Sequence, residues 1–216
     1  MTSEWIDCTW TLREGVTTWP GQVEYKRRKS SDIHCGDTAT VSNITVACHT
    51  GTHTDGLNHF VPDMAGVQAA PLSALIGHAR VAHIPTSEHI TVAEIETYEQ
   101  RTRPLGKGDR IIFRTNNTGE DYTMQPFRED YVAVSLEAAK YLTAKKVAFV
   151  GVDYYSVAPF DDPASTHREL LSHHVWVTEG LDLRAIEEGE YEMVCLPLKL
   201  EGSDGAPSRL VLKPRR

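Results

Sequence analysis

The 216-residue chain is 40% hydrophobic and 24% charged, the balance of a globular protein with a buried core rather than of a disordered or fibrous one. Its 22 Lys and Arg against 30 Asp and Glu give a formal net charge of −8 at pH 7, which argues against nucleic acid and anionic membranes as partners. No apolar run approaches the ~20 residues that span a bilayer, residues 1–7 lack a secretory leader pattern, and four scattered cysteines without Cys-x-x-Cys spacing signal neither a disulfide scaffold nor a thiolate zinc site.

In chain order, β-type runs rich in branched and aromatic residues occur at 44–48, 79–84, 110–114, 146–152, 175–178 and 192–196, so six or more strands are expected. Helices are fewer. Residues 91–101 form one candidate. Ser135 caps a second over 136–142, with Glu137 in its first turn and lysines at its end. Thr166 and Glu169 have capping-box spacing ahead of Leu170 and Leu171, which predicts a third helix with His167 at its start. The basic stretches 26–29 and 213–216 are short and read as a solvated face and a solubilising terminus. No repeat or Pro/Gly/Ser linker divides the chain. A single strand-rich α/β domain over residues 1–216, in the cytoplasm, is the expectation.

Histidine is the unusual count at ten, and residues 49–60 read His-Thr-Gly-Thr-His-Thr-Asp-Gly-Leu-Asn-His-Phe. Thr-Gly-Thr between His49 and His53 is poor helix material and no glutamate follows His49, which rules out the helical zinc-protease motif. The pattern predicts a strand ending at Cys48 and then a tight loop, opened by Gly51, from which His49, His53 and Asp55 converge. Imidazole plus carboxylate is a donor set suited to zinc, manganese or iron(II). Further donors are available from Asp153, Asp161, Asp162, His167 and Glu179. His34, His78, His83, His89, His173 and His174 receive no role.

The pattern His-x-Gly-Thr-His-x-Asp-x-x-x-His-Phe, matched by His49, Gly51, Thr52, His53, Asp55, His59 and Phe60, resembles the metal-dependent cyclase-like hydrolases, which include bacterial kynurenine formamidase and isatin hydrolase. Ile6-Asp7, Trp19-Pro20-Gly21, Gly151-Val152-Asp153 with Ser156, His167 and Glu179-Gly180-Leu181 follow the same order, covering roughly residues 5–200. The resemblance implies a layered β/β/α fold with mixed sheets. It implies one or two divalent ions, zinc or manganese, with His49, His53 and Asp55 on a first ion and Asp55, Glu179 and His167 on a second. His59 is implied as acid/base, with Trp19, Phe60 and Tyr154 against a small-molecule substrate, in a homodimer or higher homo-oligomer.

The implied reaction is hydrolysis of an aryl formamide such as N-formylkynurenine by metal-activated water. The alternatives are isatin-like lactam opening, a biosynthetic cyclisation or dehydration on the same metal site, or metal or small-molecule binding without catalysis. Two departures bear on the substrate. Family formamidases usually read Asp-Ala-Pro-x-His where this chain has Asp55-Gly-Leu-Asn-His59, and Tyr154-Tyr155 replaces a frequent threonine after Gly-x-Asp.

Overall fold

The β-branched runs form strands as their composition favours. The computed structural model describes residues 4–86, 88–119 and 121–215. Its regular elements are β1 (Ile6–Asp7), β2 (Lys26–Ser31), β3 (Val41–Thr45), β4 (His53–Asp55), α1 (Leu72–Leu75), β5 (Ile76–His83), α2 (Val92–Arg101), β6 (Arg110–Arg114), α3 (Leu136–Ala144), β7 (Phe149–Val152), α4 (Pro163–Ser172), β8 (Trp176–Glu179), β9 (Gly189–Pro197) and β10 (Gly205–Pro214).

Strands β10, β4, β8, β7, β6, β5 and β9 join edge to edge, and β9 returns to β10, closing a seven-stranded mixed barrel. Closure leaves these strands without a free edge. β5, β6, β7 and β8 run parallel, and α2, α3 and α4 form the connections between them. Helix cover on one side and barrel interior on the other explain why β7 and β8 are buried at every residue, as both faces of a parallel sheet require. β1 lies along the far half of β10, through Ile6 opposite Leu212 and Asp7 opposite Val211. The strand-rich, mixed-sheet α/β class is therefore the one observed. Among the described residues no helix is long and apolar enough to cross a membrane, and all four cysteines are free thiols.

The helix caps follow local chemistry. Thr91 and Glu94 form a reciprocal capping box on α2, and the Ser135 oxygen accepts from the Ala138 N–H on α3. α4 departs from expectation. Asp162 caps it, accepting from the Ser165 N–H, and Pro163 occupies its first turn, where a missing N–H costs nothing. The expected Thr166–Glu169 box does not form: the Thr166 hydroxyl donates to the Val134 carbonyl, and Glu169 accepts from the Thr143 hydroxyl. His167 consequently sits in the second turn.

Three strand expectations also change. The strand near Cys48 is β3, which ends at Thr45 and pairs with β2 in a separate, solvent-exposed ribbon. The loop expected to carry His53 and Asp55 is instead β4, a fully buried strand of the barrel. Lys213 and Pro214 are not a loose tail but pair with β9 at Glu192 and Tyr191. Arg216 of that tail and residues 1–3 of the amino-terminal stretch lie outside the described residues.

Candidate metal centre

Alternation along β4 places His53 and Asp55 on one face and Thr54 on the other. β4 pairs antiparallel with β8, setting His53 directly opposite Glu179, and with β10, setting Asp55 opposite Gly205. Two neighbouring strands thus deliver a histidine and two carboxylates to one patch. Gly205 is small for a reason: a Cβ there would lie 2.6 Å from the His49 ring. His49 reaches over it from the turn after β3, with Gly51 at a φ of +62° permitting the reversal. His167 enters from α4, and His59 from the short 3₁₀ turn Leu57–His59.

The two carboxylates divide their oxygens. Asp55 directs Oδ1 to His49 Nδ1 (3.1 Å) and Oδ2 toward His167 Nε2 (3.5 Å). Glu179 directs Oε2 to His53 Nε2 (3.2 Å) and Oε1 to His167 Nε2 (3.0 Å), and Oε1 also accepts from the Val157 N–H (2.6 Å). Each histidine spends its other nitrogen outside the cluster. His53 Nδ1 faces the Gly51 carbonyl (2.9 Å), His167 Nδ1 the Pro163 carbonyl (2.6 Å), and His49 Nε2 the Asp204 carboxylate (2.9 Å). With those N–H groups committed outward, the inward nitrogens present lone pairs to carboxylate oxygens. That juxtaposition is repulsive unless a cation or proton lies between, and it is the orientation that outer partners impose on metal-binding imidazoles.

His53 Nε2 and Asp55 Oδ2 are buried without a hydrogen-bond partner. Ligand atoms of His53, Asp55 and Glu179 come within 4.8 Å of one another, as do those of His49, Asp55 and His59. The residues therefore fit a divalent cation in donor type, convergence and unmet polarity. His59 is close enough to join the set, a possibility that sequence reasoning did not raise.

Without a metal, protons hold the cluster together. Burial disfavours a charged His49, but the hydrogen bonds to Asp204 and Asp55 outweigh it and push its pKa up to about 10. Burial of His167 is likewise outweighed by Asp55 and Glu179, again giving about 10. Asp55 is held well below the usual carboxylate range despite its burial, because the His167 and His49 rings face it and favour its charged form. Burial, only partly opposed by Asp55, pushes His59 down to about 4, leaving its ring neutral.

These residues form the floor of a cavity of about 160 Å³, reached by His49, His59, His167 and Glu179 and walled by Trp19, Phe60 and Pro163. Trp19 stands on the Trp19-Pro20-Gly21 turn, closed by the Gln22 N–H on its carbonyl (3.1 Å), and packs against Phe127 and Phe160. Phe60 also stacks on His167 with ring centroids 4.3 Å apart. Tyr154 does not line the cavity. Its ring stacks on Tyr131 and its hydroxyl accepts from the Arg128 N–H, because consecutive residues diverge and Tyr155 takes the wall position. Asp153 is likewise elsewhere, buried and bonded to Thr115 and Thr118. Asn58 donates to the Gly202 carbonyl, tying two loops together. The six histidines without a role line none of this cavity. Sequence reasoning missed Asp204 and Gln22, and of the Tyr154-Tyr155 pair it set Tyr154 rather than Tyr155 against the substrate.

Residues 6–159 match the family described as putative cyclase. The chain is 31% identical to a kynurenine formamidase of Bacillus cereus over 99% of both chains, and 30% identical to that of Bacillus cytotoxicus over 98% of both. A predicted metal-dependent hydrolase from Bacillus stearothermophilus superimposes with a TM-score of 0.85 at 31% identity over the full length of both chains. Isatin hydrolase A from Labrenzia aggregata shares the fold, with a TM-score of 0.85 at 20% identity over 99% of this chain and 94% of its own.

Proposed function

The chain belongs to the putative cyclase family, and from that premise we propose that it is a metal-dependent hydrolase of carbon–nitrogen bonds other than peptide bonds, acting on an aryl formamide of the N-formylkynurenine type. The carrying observation is the pair of buried carboxylates, each dividing its oxygens between the His53 side and the His167 side. That division supports one or two divalent ions, which His49, His53, Asp55, His167 and Glu179 would hold. Zinc and manganese both suit the donors. A divalent pair supplies Lewis-acid polarisation of the carbonyl and a water acidified toward neutral pH.

The rest of the work falls to side chains. Trp19 and Phe60 hold the aryl ring between them, orienting the amide over Asp55 and Glu179. His59, neutral at pH 7, accepts the proton of the attacking water and returns it to the departing nitrogen as the C–N bond breaks. The products are formate and the aryl amine. The small-molecule substrate enters through the Trp19 side, and the protein works in the cytoplasm as a homodimer or higher homo-oligomer.

The test is turnover by zinc- and manganese-loaded protein on N-formylkynurenine and on isatin, with His59→Ala alongside. Formate release is expected, falling about 10²- to 10⁴-fold in His59→Ala at unchanged metal content. Turnover of isatin alone would move the assignment to lactam opening, the reading that the Gly56-Leu57-Asn58 loop favours. Metal binding with inactivity on both would leave a binding protein.

A further inference from the structure

The ribbon β2–β3 packs on nothing. Across residues 26–45 no residue is buried, and all but Ser31 and Asp32 are exposed. The ribbon nonetheless keeps a regular antiparallel register, with Arg27 opposite Ile44 and Arg28 opposite Asn43, and it pairs with no strand of the barrel. A lone two-stranded hairpin is marginal in water and becomes stable only when a face packs against something. Here both faces are open, and Ile33, Val41 and Ile44 are 54%, 48% and 56% exposed. Both stems of the ribbon start at the cavity: Gln22 precedes β2, His49 follows β3, and both line it.

The ribbon is also the basic part of an acidic chain. Lys26, Arg27, Arg28 and Lys29 are four consecutive cations in a protein of formal net charge −8. Lys26 meets Glu24 at 3.6 Å and Lys29 meets Asp32, but Arg27 and Arg28 form no ion pair among the described residues. Alternation sets Arg27 on one face and Arg28 on the other. The opposite charge collects in a depression of about 600 Å³ lined by Glu88, Glu129, Asp130 and Asp161, with Tyr131 and Phe160. Among the described residues only Asp130 of these carboxylates has a cation, Arg128 at 3.0 Å. Residues 26–30 are all exposed, so the ribbon is not seated in the depression of its own chain. Guanidinium groups suit such a place, since they pair with carboxylates and stack on aromatic rings. Ribbon-on-ribbon pairing is disfavoured, because cations on an edge strand repel a second copy of that edge.

We infer that β2–β3 is a docking arm for a second copy of this chain, seating Arg27 and Arg28 of each copy against Glu129 and Asp161 in the depression of the other. A reciprocal exchange of this kind is isologous and closes as a two-fold dimer, leaving neither copy with an open seat. Phe160 lines the seat and packs on Trp19 with ring centroids 5.3 Å apart. Each arm therefore borders the aromatic wall of its partner's cavity. The inference rests on the homo-oligomer reading above and names the surfaces that make the oligomer; it does not depend on which bond the centre cleaves.

The experiment is sedimentation velocity over a concentration series on the full chain in three forms: wild type, an arm variant with Arg27→Glu and Arg28→Glu, and a seat variant with Glu129→Lys and Asp161→Lys. The wild type is expected to be a dimer whose Kd rises with salt. Each variant opposes like charges at both symmetric contacts and should raise the Kd at least about a hundredfold. Mixed in equal amounts, the two variants should dimerise again, because the reversed arm then meets the reversed seat while the native arm meets the native seat. Arg27→Ala with Arg28→Ala introduces no new charge and covers a reversed protein that fails to fold; it should weaken the dimer about tenfold. A wild-type dimer that the alanine variant and the folded reversed variants leave unchanged, or folded reversed variants that stay monomeric when mixed, would overturn the docking and leave the homo-oligomer reading standing. A wild type that is monomeric at every concentration would sink both, and its sedimentation with phosphatidylserine vesicles would make the arm a membrane-binding surface instead.

Discussion

A half-exposed carboxylate at position 204 governs two histidines of the centre. Asp204 accepts from His49 Nε2 at 2.9 Å and lies 3.8 Å from His59 Nδ1, while the two rings stack 3.9 Å apart. Its bond to His49 holds its own pKa down to about 2, so it is ionised at any working pH and keeps the His49 lone pair turned to Asp55. Removing such an outer partner typically costs 10- to 100-fold in metal affinity. Asp204→Ala should therefore weaken zinc binding by about that factor, measured by competition with a chromogenic chelator, while the far-UV spectrum and melting cooperativity persist because the side chain is 51% exposed. Unchanged affinity would show that His49 needs no such partner. The residue was hidden in the sequence because Gly202-Ser203-Asp204-Gly205 reads as an ordinary turn. His49, His53, Asp55 and His59 were visible because four chemical groups within eleven residues exceed what a polar loop requires.

The strand that carries the centre was the element least visible in advance. β4 is three residues long and buried at each, but its residues are His, Thr and Asp. The alternation that marks a half-buried strand is absent, since one face meets the histidine–carboxylate cluster and the other a hydroxyl network of Thr54, Thr178 and Ser208. Strands β6 and β7 were legible because their buried residues are apolar on both faces. The α4 cap was misplaced for a related reason: Asp162-Pro163 is a stronger start signal than Thr166, whose hydroxyl tertiary packing claims for Val134.

The joint between β4 and β8 makes its own prediction. Gly180, immediately after Glu179, has a φ of +66°, and a Cβ there would lie 2.3 Å from the Gly51 carbonyl oxygen. Gly180→Ala incurs about 1–2 kcal/mol from the left-handed backbone alone and must also push the His49–His53 turn away from Glu179. A fall in stability of at least about 2 kcal/mol is expected by urea denaturation, together with lost metal capacity. Gly106→Ala is the control, since a Cβ there meets nothing within 4 Å and should stay within about 0.5 kcal/mol of wild type. Retained stability in Gly180→Ala would mean that the two turns are not in fixed contact.

For the molecule as a whole, metal, protons and stability are one linked equilibrium. In the metal-free protein His49 and His167 are both pushed up to about 10, whereas histidine in an unfolded chain titrates near 6.5. Between roughly pH 6.5 and 10 the folded state thus binds more protons than the unfolded one, and its stability falls as pH rises. The contribution is fully present below about 6.5 and lost above about 10. A bound cation takes the same lone pairs, so loading releases about two protons per subunit at pH 7.5 and affinity climbs with pH. The melting temperature of chelator-treated protein should therefore decline from pH 6.5 to 9.5, while that of zinc-loaded protein declines less, widening the gap between them. Calorimetric titration with zinc in buffers of different ionisation enthalpy counts the released protons directly. A chelated protein whose melting temperature stays flat across this window, with no proton release on loading, would show that charged imidazoles do not hold Asp55 and Glu179 together in the metal-free barrel.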